Sequence, residues 1–521
     1  MSENTKPRST HGGEARGLAA AHNLPFGRFG VMFPGALPAT ALADAALEML
    51  AQTMLQPDIG APVTEAKPQD ENPRIPAGYT YFGQFVDHDI TFDPTPLGAQ
   101  QDDPEAIVDF RSPALDLDSV YGRGPADQPY LYERDGLRLR LGKPINTLQP
   151  PIGAVVGTTR DLLRLSAGPS VADDSDRPAI LGDKRNDENK IVSQIHAAFV
   201  ALHNRVVTEV LNPGRQPRLP NYLTAAAPHP YMPVEFAGAA YRFGHSMVRP
   251  NYALNALVIA PPDKDNRVQR IPTFSRDRDP LANLNGSMEL PDFWGIDWSF
   301  FLDNVPQRPG GVTVGDRPAV LPQPSFRIDA LLADPLGDLP DFFGAPGTPR
   351  SILGNLAFRN LKRGQHLLLP SGQEVARRLG IAPLSDDILW GAGSRLASGA
   401  TGKEAAELAA TAARRATFRR EWIDGNGGGM RGQAPLWYYI LREAEHHGAS
   451  EPSAPGAVFG GQHLGPVGSR IVAETLIGLL WLDRSSFLHS RRGFRPLPAI
   501  ADGKPLTLGR LIGFALSGAR R

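Results

Sequence analysis

Cysteine is absent from the 521 residues of this sequence. Its absence excludes disulfides, thiolate-bound haem, c-type haem attachment, cysteine zinc sites and a cysteine nucleophile. A chain without thiols is indifferent to the redox compartment, so this absence does not indicate where the protein works.

Long apolar runs and an excess of either charge are also missing. No apolar run approaches the ~20 residues that span a bilayer, and the N-terminal region has no apolar segment typical of a secretory signal. Lysine and arginine (54) balance aspartate and glutamate (55), which leaves a net charge of −1. Such a balance gives no basic surface for nucleic acid. We therefore expect a cytoplasmic protein without a transmembrane segment or a nucleic-acid partner; export by a non-classical route stays open.

Glycine (54 residues) and proline (50 residues) are frequent and evenly spread, which predicts helices joined by long, ordered loops. In several segments apolar residues recur at three- and four-residue steps, as in helices, whereas alternating β patterns are short and few. We predict a mainly α fold, with a flexible arm over 1–25 and one continuous domain over 26–521. Helices are predicted over 188–211, 234–248, 402–419 and 468–482.

The segment FGQFVDHDITFD, residues 82–93, is the first with a pattern that suggests chemistry. If it is helical, Gln84 and His88 lie one turn apart on the same face. A neutral imidazole beside an amide donor suits acid–base chemistry on a small ligand. Taken alone, the segment is equally explained as a helix end with a structural histidine.

The segment SPALDLDSVYG, residues 112–122, carries oxygen donors on alternate residues. These donors are Ser112, Asp116 and Asp118, and the carbonyl oxygen of Ala114 lies in the same series. Closely spaced hard oxygens suit Ca²⁺, although the spacing is not that of an EF-hand. The alternative is an ordinary turn rich in aspartate.

Two further segments place candidate residues at helical spacing. In GDKRNDENK, residues 182–190, Arg185 and Glu188 are three apart, which is also the pattern of a solvated first turn. In FAGAAYRFGHSMVRPNY, residues 236–252, His245 lies on an apolar stripe beside Gly244. Small residues allow a flat macrocycle to approach the backbone closely, but a core histidine is the alternative.

The segment RNLKRGQHLLLPSGQ, residues 359–373, contains Asn360 and Arg363 one helical turn apart. An asparagine carbonyl can orient a ligand histidine by accepting its second N–H. An arginine can pair with a propionate. Ordinary capping and surface charge explain the same residues without a ligand.

The order and spacing of these five segments resemble the animal haem peroxidase (peroxidase–cyclooxygenase) superfamily, which includes the mammalian myeloperoxidase-type enzymes and many bacterial relatives. The resemblance runs from about residue 26 to about residue 482 and is densest between residues 80 and 250. It implies haem b and Ca²⁺ as cofactors. It also implies H₂O₂ and a small-molecule reducing substrate as partners, with turnover through a ferryl state.

On the distal side of the haem, the resemblance implies three catalytic residues. His88 would exchange a proton with peroxide, Gln84 would hydrogen-bond the ligand above the iron, and Arg185 would stabilise charge as the O–O bond breaks. Asp87 and Glu188 match the carboxylates that are ester-linked to haem in mammalian members.

On the proximal side, the resemblance implies that His245 binds the haem iron, that Asn360 is its hydrogen-bond partner, and that Arg363 binds a propionate. It also implies a calcium site beside the distal histidine, which would fix the distal helix. The ligands of this site would be Asp89, Ser112, Ala114 (backbone oxygen), Asp116 and Asp118.

Departures from the family pattern narrow the expected activity. Asn189 stands where the halide-oxidising mammalian members have a haem-linked methionine, which argues against efficient chloride oxidation. Arg242 stands where the oxygenase branch has a radical tyrosine, and in an α-helix Tyr241 would point about 100° away. These departures favour a peroxidase. A fatty-acid dioxygenase or hydroperoxide-processing enzyme and a non-catalytic binding protein remain as alternatives. His196 and His203 are expected to be buried, hydrogen-bonded residues.

Overall fold

The computed structural model describes most of the chain from Gly27 to Leu516, with gaps, and the arm predicted over 1–25 lies outside the described residues. Within the described residues, no helix combines the length and the apolar character needed to cross a bilayer. The described ranges are 27–56, 70–97, 107–145, 159–165, 177–210, 231–255, 270–277, 279, 281–291, 294–305, 313–314, 317–318, 322–345, 347–393, 402–425, 430–447, 460–483, 486–489, 495, 500 and 503–516.

The fold is mainly helical, as predicted. Short 3₁₀ segments join several helices, and one of them, Lys184–Asp187, leads into the longest helix. In chain order, the α-helices are α1 (Asp44–Gln52), α2 (Gly78–Ile90), α3 (Asp118–Tyr121), α4 (Lys190–Val210), α5 (Val234–Gly238), α6 (Leu356–His366), α7 (Gly372–Arg378), α8 (Asp386–Leu389), α9 (Gly402–Phe418), α10 (Leu436–His447), α11 (Pro466–Leu482) and α12 (Leu508–Leu516).

The strands are short and form small sheets. Strand β1 pairs with β3 antiparallel and with β4 parallel, and the other pairs, β2–β9, β5–β6 and β7–β8, are antiparallel. The three-stranded sheet positions the candidate site, because β3 precedes the aspartate-rich segment and β4 runs directly into α5. The strands are β1 (Gly27–Gly30), β2 (Glu71–Pro76), β3 (Val108–Asp109), β4 (Met232–Pro233), β5 (Asn251–Tyr252), β6 (Ile271–Pro272), β7 (Thr313–Val314), β8 (Arg317–Pro318) and β9 (Pro324–Phe326).

Two apolar clusters lie on either side of the candidate site. One is built from α1, α6, α10 and α11 and includes Leu361 and Ile440. The other is built from α2, α4 and α12 and includes Phe85 and Ile195. Helix α2 packs against α4 and also against the 3₁₀ segment Ala240–Met247, which belongs to the first cluster. The candidate residues therefore lie at the boundary between the two clusters.

Three of the four predicted helices are confirmed. Helix α4 occupies the range predicted over 188–211, and Ile191 and Ile195 on its apolar stripe are fully buried. Helices α9 and α11 match the predictions over 402–419 and 468–482. In each case a long apolar stripe of helical period gives the signal.

The single helix predicted over 234–248 is wrong. Helix α5 ends at Gly238, Ala239 leaves the helical region at φ −141° and ψ −66°, and a 3₁₀ segment follows. The side chain of Arg242 folds back and donates from Nε to the Ala237 carbonyl at 2.8 Å, satisfying an acceptor that the break leaves open. Residues three apart eclipse in a 3₁₀ helix, so Arg242 and His245 lie on the same side.

Candidate active site

Helix α2 brings Gln84 and His88 to one place, together with Glu188 from the segment before α4. Gln84 Nε2 donates to Glu188 Oε1 at 2.5 Å, and His88 Nε2 lies 3.4 Å from the same oxygen. The loss of water around the carboxylate would by itself raise the pKa of Glu188, but hydrogen bonds and charges from His88, Arg185 and Gln84 hold it below its usual value. The carboxylate is therefore ionised at neutral pH. Half of the Glu188 side chain is exposed (50%), whereas His88 is buried.

Asp87, the other predicted ester carboxylate, lies apart from this group. Its Oδ1 accepts a hydrogen bond from Thr91 Oγ1 at 3.3 Å. Burial, together with the charge of Asp87, raises the pKa of Tyr241 well above its usual value. Asp87 thus lies on the side of α2 that faces the segment carrying His245.

Arg185 holds the end of α2. Its Nη2 donates to the carbonyl oxygens of His88 at 3.0 Å and Thr91 at 2.7 Å, acceptors left open where the helix ends. Its Nε and Nη2 also pair with the Asp183 carboxylate, and its guanidinium lies 4.6 Å from the centre of the Phe92 ring. The predicted distal arginine thus fixes the backbone of His88, a contact that the sequence did not predict.

Asp183 is a buried acid that anchors two arginines. Burial alone would raise its pKa, but Arg185 and Arg111 hold it well below its usual range. Arg111 donates to Asp183 Oδ2 from Nε at 3.0 Å and reaches Asp118 Oδ1 from Nη1 at 3.4 Å. An ionic chain therefore runs from the aspartate-rich segment through Asp183 to the end of α2.

His245, the predicted iron ligand, pairs with Asn360 on α6, but through the other end of the amide. Asn360 Nδ2, and not the expected carbonyl oxygen, lies 2.8 Å from His245 Nδ1. The carbonyl oxygen accepts from Arg242 Nη1 at 2.8 Å instead, since a guanidinium can only donate. Iron binding at His245 Nε2 would require a proton on Nδ1, and hence a half-turn of the Asn360 amide. That half-turn would remove the acceptor of Arg242 Nη1, which would then have to bond elsewhere.

The surroundings of His245 fit a planar iron cofactor. Burial and the charge of Arg242 lower the pKa of His245 to about 3, which keeps the imidazole in the neutral form that binds metals. A Cβ added to Gly244 would meet nothing within 4 Å, and one added to Gly83 of α2 would meet only Tyr241 Oη at 3.8 Å. The backbone at each of the two glycines thus leaves room beside it.

Arg363, the predicted propionate partner, lies on α6 one turn beyond Asn360. Its Nη2 donates to the Thr95 carbonyl at 2.7 Å, and its Nη1 lies 3.3 Å from Asp93 Oδ2. These acceptors follow α2, so Arg363 joins α6 to the segment after α2.

Three of the predicted calcium ligands converge. Carboxylate oxygens of Asp89, Asp116 and Asp118 lie within 4.8 Å of one another. Ser112 Oγ donates to Asp116 Oδ2 at 2.7 Å, so the fourth predicted side chain joins the same cluster. Ala114 lies in the bend between Ser112 and Asp116. Such a set of hard oxygens suits Ca²⁺.

The backbone of the aspartate-rich segment is shaped to meet α2. Leu117 adopts φ +60°, a left-handed conformation uncommon for a branched residue. Its N–H donates to Asp89 Oδ2 at 2.9 Å, and the N–H of Ser119 donates to Asp89 Oδ1 at 3.2 Å. Gly182 packs so closely against this segment that a Cβ would lie 2.6 Å from the Ser119 carbonyl oxygen.

The carboxylates of this cluster lie close enough together to raise each other's pKa values. Burial and repulsion from Asp116 raise the pKa of Asp89 to about 6. Burial, opposed by Arg111 and reinforced by Asp116 and Asp89, raises the pKa of Asp118 to about 8. A cation between the three carboxylates would remove this repulsion.

Two residues lie behind His88: Asn186, which the sequence did not indicate, and His196, which was expected only as a buried structural residue. Asn186 Oδ1 lies 2.9 Å from His88 Nδ1, and Asn186 Nδ2 lies 3.1 Å from His196 Nδ1. Asn186 carries no motif signal of its own. His196 is buried and hydrogen-bonded as expected, while His203 is hydrogen-bonded to Tyr121 Oη and only partly buried.

Comparisons with known proteins give loose structural similarities. Neither a protein-family model nor a curated protein matches this sequence. Peroxidase A from Dictyostelium discoideum is similar at TM-score 0.49 and 14% identity, covering 89% of this chain and 88% of that chain. Fatty acid alpha-dioxygenase from Oryza sativa is similar at TM-score 0.45 and 13% identity (88% and 75% covered). The Arabidopsis thaliana fatty acid alpha-dioxygenase is similar at TM-score 0.44 and 12% identity (95% and 81% covered).

Proposed function

We propose that this chain is a haem-dependent peroxidase that reduces H₂O₂ and oxidises small organic or (pseudo)halide donors, with its haem domain over 26–521. The observation that carries the proposal is a pair of histidines on facing segments, each backed by an asparagine. His88 on α2 pairs with Asn186, and His245 on the 3₁₀ segment pairs with Asn360. Room beside the backbone at Gly244, next to His245, suits the close approach of a planar group.

Haem supplies a redox-active iron at which peroxide is reduced. In this proposal His245 holds the iron, Asn360 orients His245, and Arg363 pairs with a propionate. Asp87 and Glu188 are the candidates for ester links to the haem. Glu188 is already hydrogen-bonded beside the distal residues, whereas Asp87 lies toward the His245 segment.

The distal residues divide the acid–base work. His88 takes the proton of H₂O₂ at Nε2 and returns it to the departing oxygen. Gln84 donates its amide N–H to the bound ligand once Glu188 is engaged elsewhere. Arg185 contributes a fixed positive charge and holds the carbonyl of His88, so that the imidazole keeps its position as the O–O bond breaks.

The proposal is tested by an absorption spectrum of the haem-replete protein, recorded before and after addition of H₂O₂. We expect a Soret band that shifts with peroxide and returns when a phenol or iodide is added, because the donor restores the resting enzyme. A Soret band that ignores peroxide, in protein that has taken up haem fully, contradicts a peroxidase.

A fatty-acid dioxygenase remains the second candidate, and one observation favours it. Tyr241 Oη lies against Gly83 of α2, so this tyrosine reaches across the space between the two facing segments. A tyrosine there is placed to be oxidised by one electron. Oxygen uptake with a long-chain fatty acid, lost in Tyr241→Phe while phenol oxidation is retained, would support this candidate. No uptake with fatty acids would dismiss it.

We also propose a structural Ca²⁺ ion held by Asp89, Asp116 and Asp118, with Ser112 Oγ and the Ala114 carbonyl oxygen. The support is the convergence of carboxylate oxygens within 4.8 Å and the pairing of Ser112 with Asp116. Because Asp89 follows His88 directly, the ion would fix the C-terminal turn of α2.

Removal of Ca²⁺ should lower the unfolding temperature by a few degrees, since a ligand at 100 times its Kd contributes about 2.7 kcal/mol. The measurement is thermal unfolding with Ca²⁺ and with chelator. Asp116→Asn should abolish the difference, whereas Asp341→Asn, which changes an exposed aspartate, should retain it. An equal Ca²⁺ effect in both variants would place the ion elsewhere.

Without Ca²⁺, stability should also depend on pH. The pKa of Asp89 is raised from 3.8 to about 6 and that of Asp118 from 3.8 to about 8. A raised carboxyl pKa means that the folded protein holds its proton more tightly than the unfolded chain, so this stabilisation is complete below pH ~4 and is lost as pH rises to ~8. Urea unfolding of the chelated protein across this range measures the loss. Saturating Ca²⁺ should reverse the trend.

A further inference from the structure

A second layer of buried hydrogen bonds lies behind His88. His88, Asn186 and His196 form a continuous chain through His88 Nδ1, the two ends of the Asn186 amide and His196 Nδ1, at 2.9 and 3.1 Å. All three side chains are buried; Asn186 has no exposed surface. The chain joins α2 to α4 through the 3₁₀ segment Lys184–Asp187.

The chemistry of the amide links the two imidazoles. An asparagine side chain has one end that only accepts and one end that only donates. Both imidazoles meet it through Nδ1, so one and only one of them carries its proton on Nδ1. Whichever way the amide points, His88 and His196 must therefore adopt opposite tautomers when both are neutral.

We propose that Asn186 and His196 are positioning residues that hold His88 with its proton on Nδ1 and its Nε2 lone pair free to take the proton of peroxide. His196 Nδ1 accepts from Asn186 Nδ2, which turns Asn186 Oδ1 toward His88. The proposal deepens the proposed peroxidase function and rests on it for its catalytic meaning, but the tautomer itself can be measured without turnover.

The environment of His196 supports this direction, and that of His88 sets a condition on it. Burial lowers the pKa of His196 to about 4 against the opposing charge of Asp183, so His196 stays neutral and can accept at Nδ1. The ring of Phe85 stands perpendicular to the His196 ring at 6.2 Å and packs against it. His88 Nε2 lies 3.4 Å from Glu188 Oε1, on the side where Gln84 also lies. An ionised carboxylate there favours a proton on Nε2, so the Nε2 lone pair is free only once Glu188 is engaged elsewhere.

The first test is the ring-nitrogen NMR spectrum of ¹⁵N-histidine-labelled protein in its diamagnetic ferrous carbon-monoxide form. The signals of the two histidines are assigned by their loss in His88→Gln and His196→Asn. We expect the proton on Nδ1 in His88 and on Nε2 in His196. In Asn186→Leu, His88 should shift mainly to the Nε2–H tautomer that free imidazole prefers.

A matched pair of variants at position 196 separates direction from packing. His196→Asn can place an acceptor oxygen where Nδ1 lies and should leave His88 in the wild-type tautomer. His196→Leu fills the same space but has no hydrogen-bond acceptor. The Asn186 amide then no longer prefers one orientation, and His88 should show both tautomers. A wild-type His88 with its proton on Nε2, or a His88 spectrum unchanged in Asn186→Leu, overturns the proposal.

The second test is the rate of reaction with H₂O₂, measured by stopped flow. Asn186→Leu should slow it by about 10- to 100-fold, the usual cost of removing a residue that orients a functional group, with the Soret band and haem affinity unchanged. In a His88→Ala background the same substitution should cause no further slowing. Equal slowing in both backgrounds would mean that Asn186 acts on folding and not through His88.

These measurements keep the two hypotheses apart. If the tautomers are as expected but peroxide leaves the Soret band unchanged, the positioning role stands and the peroxidase function fails. If the chain takes up no haem, the proposed function fails, and the ring-nitrogen spectrum of the same haem-free protein still decides the tautomer of His88.

Discussion

When His245→Ala is supplied with excess haem, its Soret band should be absent or collapsed. Its haem affinity should be at least ~100-fold below that of the wild type. Removing a residue that merely orients a metal ligand typically costs about 10- to 100-fold in affinity, and His245 is the proposed ligand itself. Asn360 is a buried partner of His245 in the structure, so its amide would also lose an acceptor. Haem titration followed by absorption measures the effect.

Controls must separate ligand loss from misfolding. Leaving the buried Nδ2 group of Asn360 without a partner costs roughly 1–3 kcal/mol, so the haem-free variant should unfold at a slightly lower temperature yet remain folded. His447→Ala, at the exposed end of α10, changes the same residue type and should bind haem normally. Imidazole added to His245→Ala should restore part of the Soret band. An unchanged Soret band in His245→Ala would show that another residue binds the iron.

The sequence predicts those features of the fold that depend on neighbours along the chain. The apolar stripe of α4 repeats over 21 residues, and its helix follows from that period alone. The same holds for α2, where four-residue spacing puts Gln84 and His88 on one face. Those two residues meet because a single helix carries both of them.

The break at Ala239 could not be read from the sequence, because contacts made later in the fold stabilise it. Arg242 donates to the Ala237 carbonyl and to Asn360 on α6, and Trp437 Nε1 on α10 donates to the Arg242 carbonyl at 3.1 Å. Periodicity alone favoured one continuous helix, since apolar and small residues run through the whole segment. Tertiary hydrogen bonds outweighed that local preference.

Long-range polar contacts explain the other features that the sequence could not supply. The link from Asp118 through Arg111 and Asp183 to Arg185 connects two separate segments, because Arg111 and Asp183 are 72 residues apart in sequence. The orientation of the Asn360 amide depends in the same way on Arg242. Sequence spacing can predict which residue types belong to a site. The direction of each hydrogen bond depends on which partner the folded chain places beside the residue.

Replacing His88 with alanine should leave haem bound but slow the reaction with H₂O₂ by about 10²- to 10⁴-fold, the usual contribution of a general acid–base residue. The reason is geometric. His88 Nδ1 is hydrogen-bonded to Asn186, so Nε2, on the side of Glu188, is the nitrogen of this imidazole that can exchange a proton with peroxide, and alanine removes it. Stopped-flow absorption at the Soret band measures the rate, and the unreacted spectrum should match that of the wild type.

The pattern across variants tests the assignment more sharply than a single rate. His88→Gln keeps an amide that can still bond to Asn186 but has no basic nitrogen, so it should be as slow as His88→Ala and more stable. Arg185→Leu should also be slow, yet it should lower the unfolding temperature as well, because the guanidinium ties the His88 and Thr91 carbonyls to Asp183. A His88→Gln variant that reacts at the wild-type rate would move proton transfer to Glu188, which shares the distal space and lies beside the remaining groups that lower its pKa, Arg185 and Gln84.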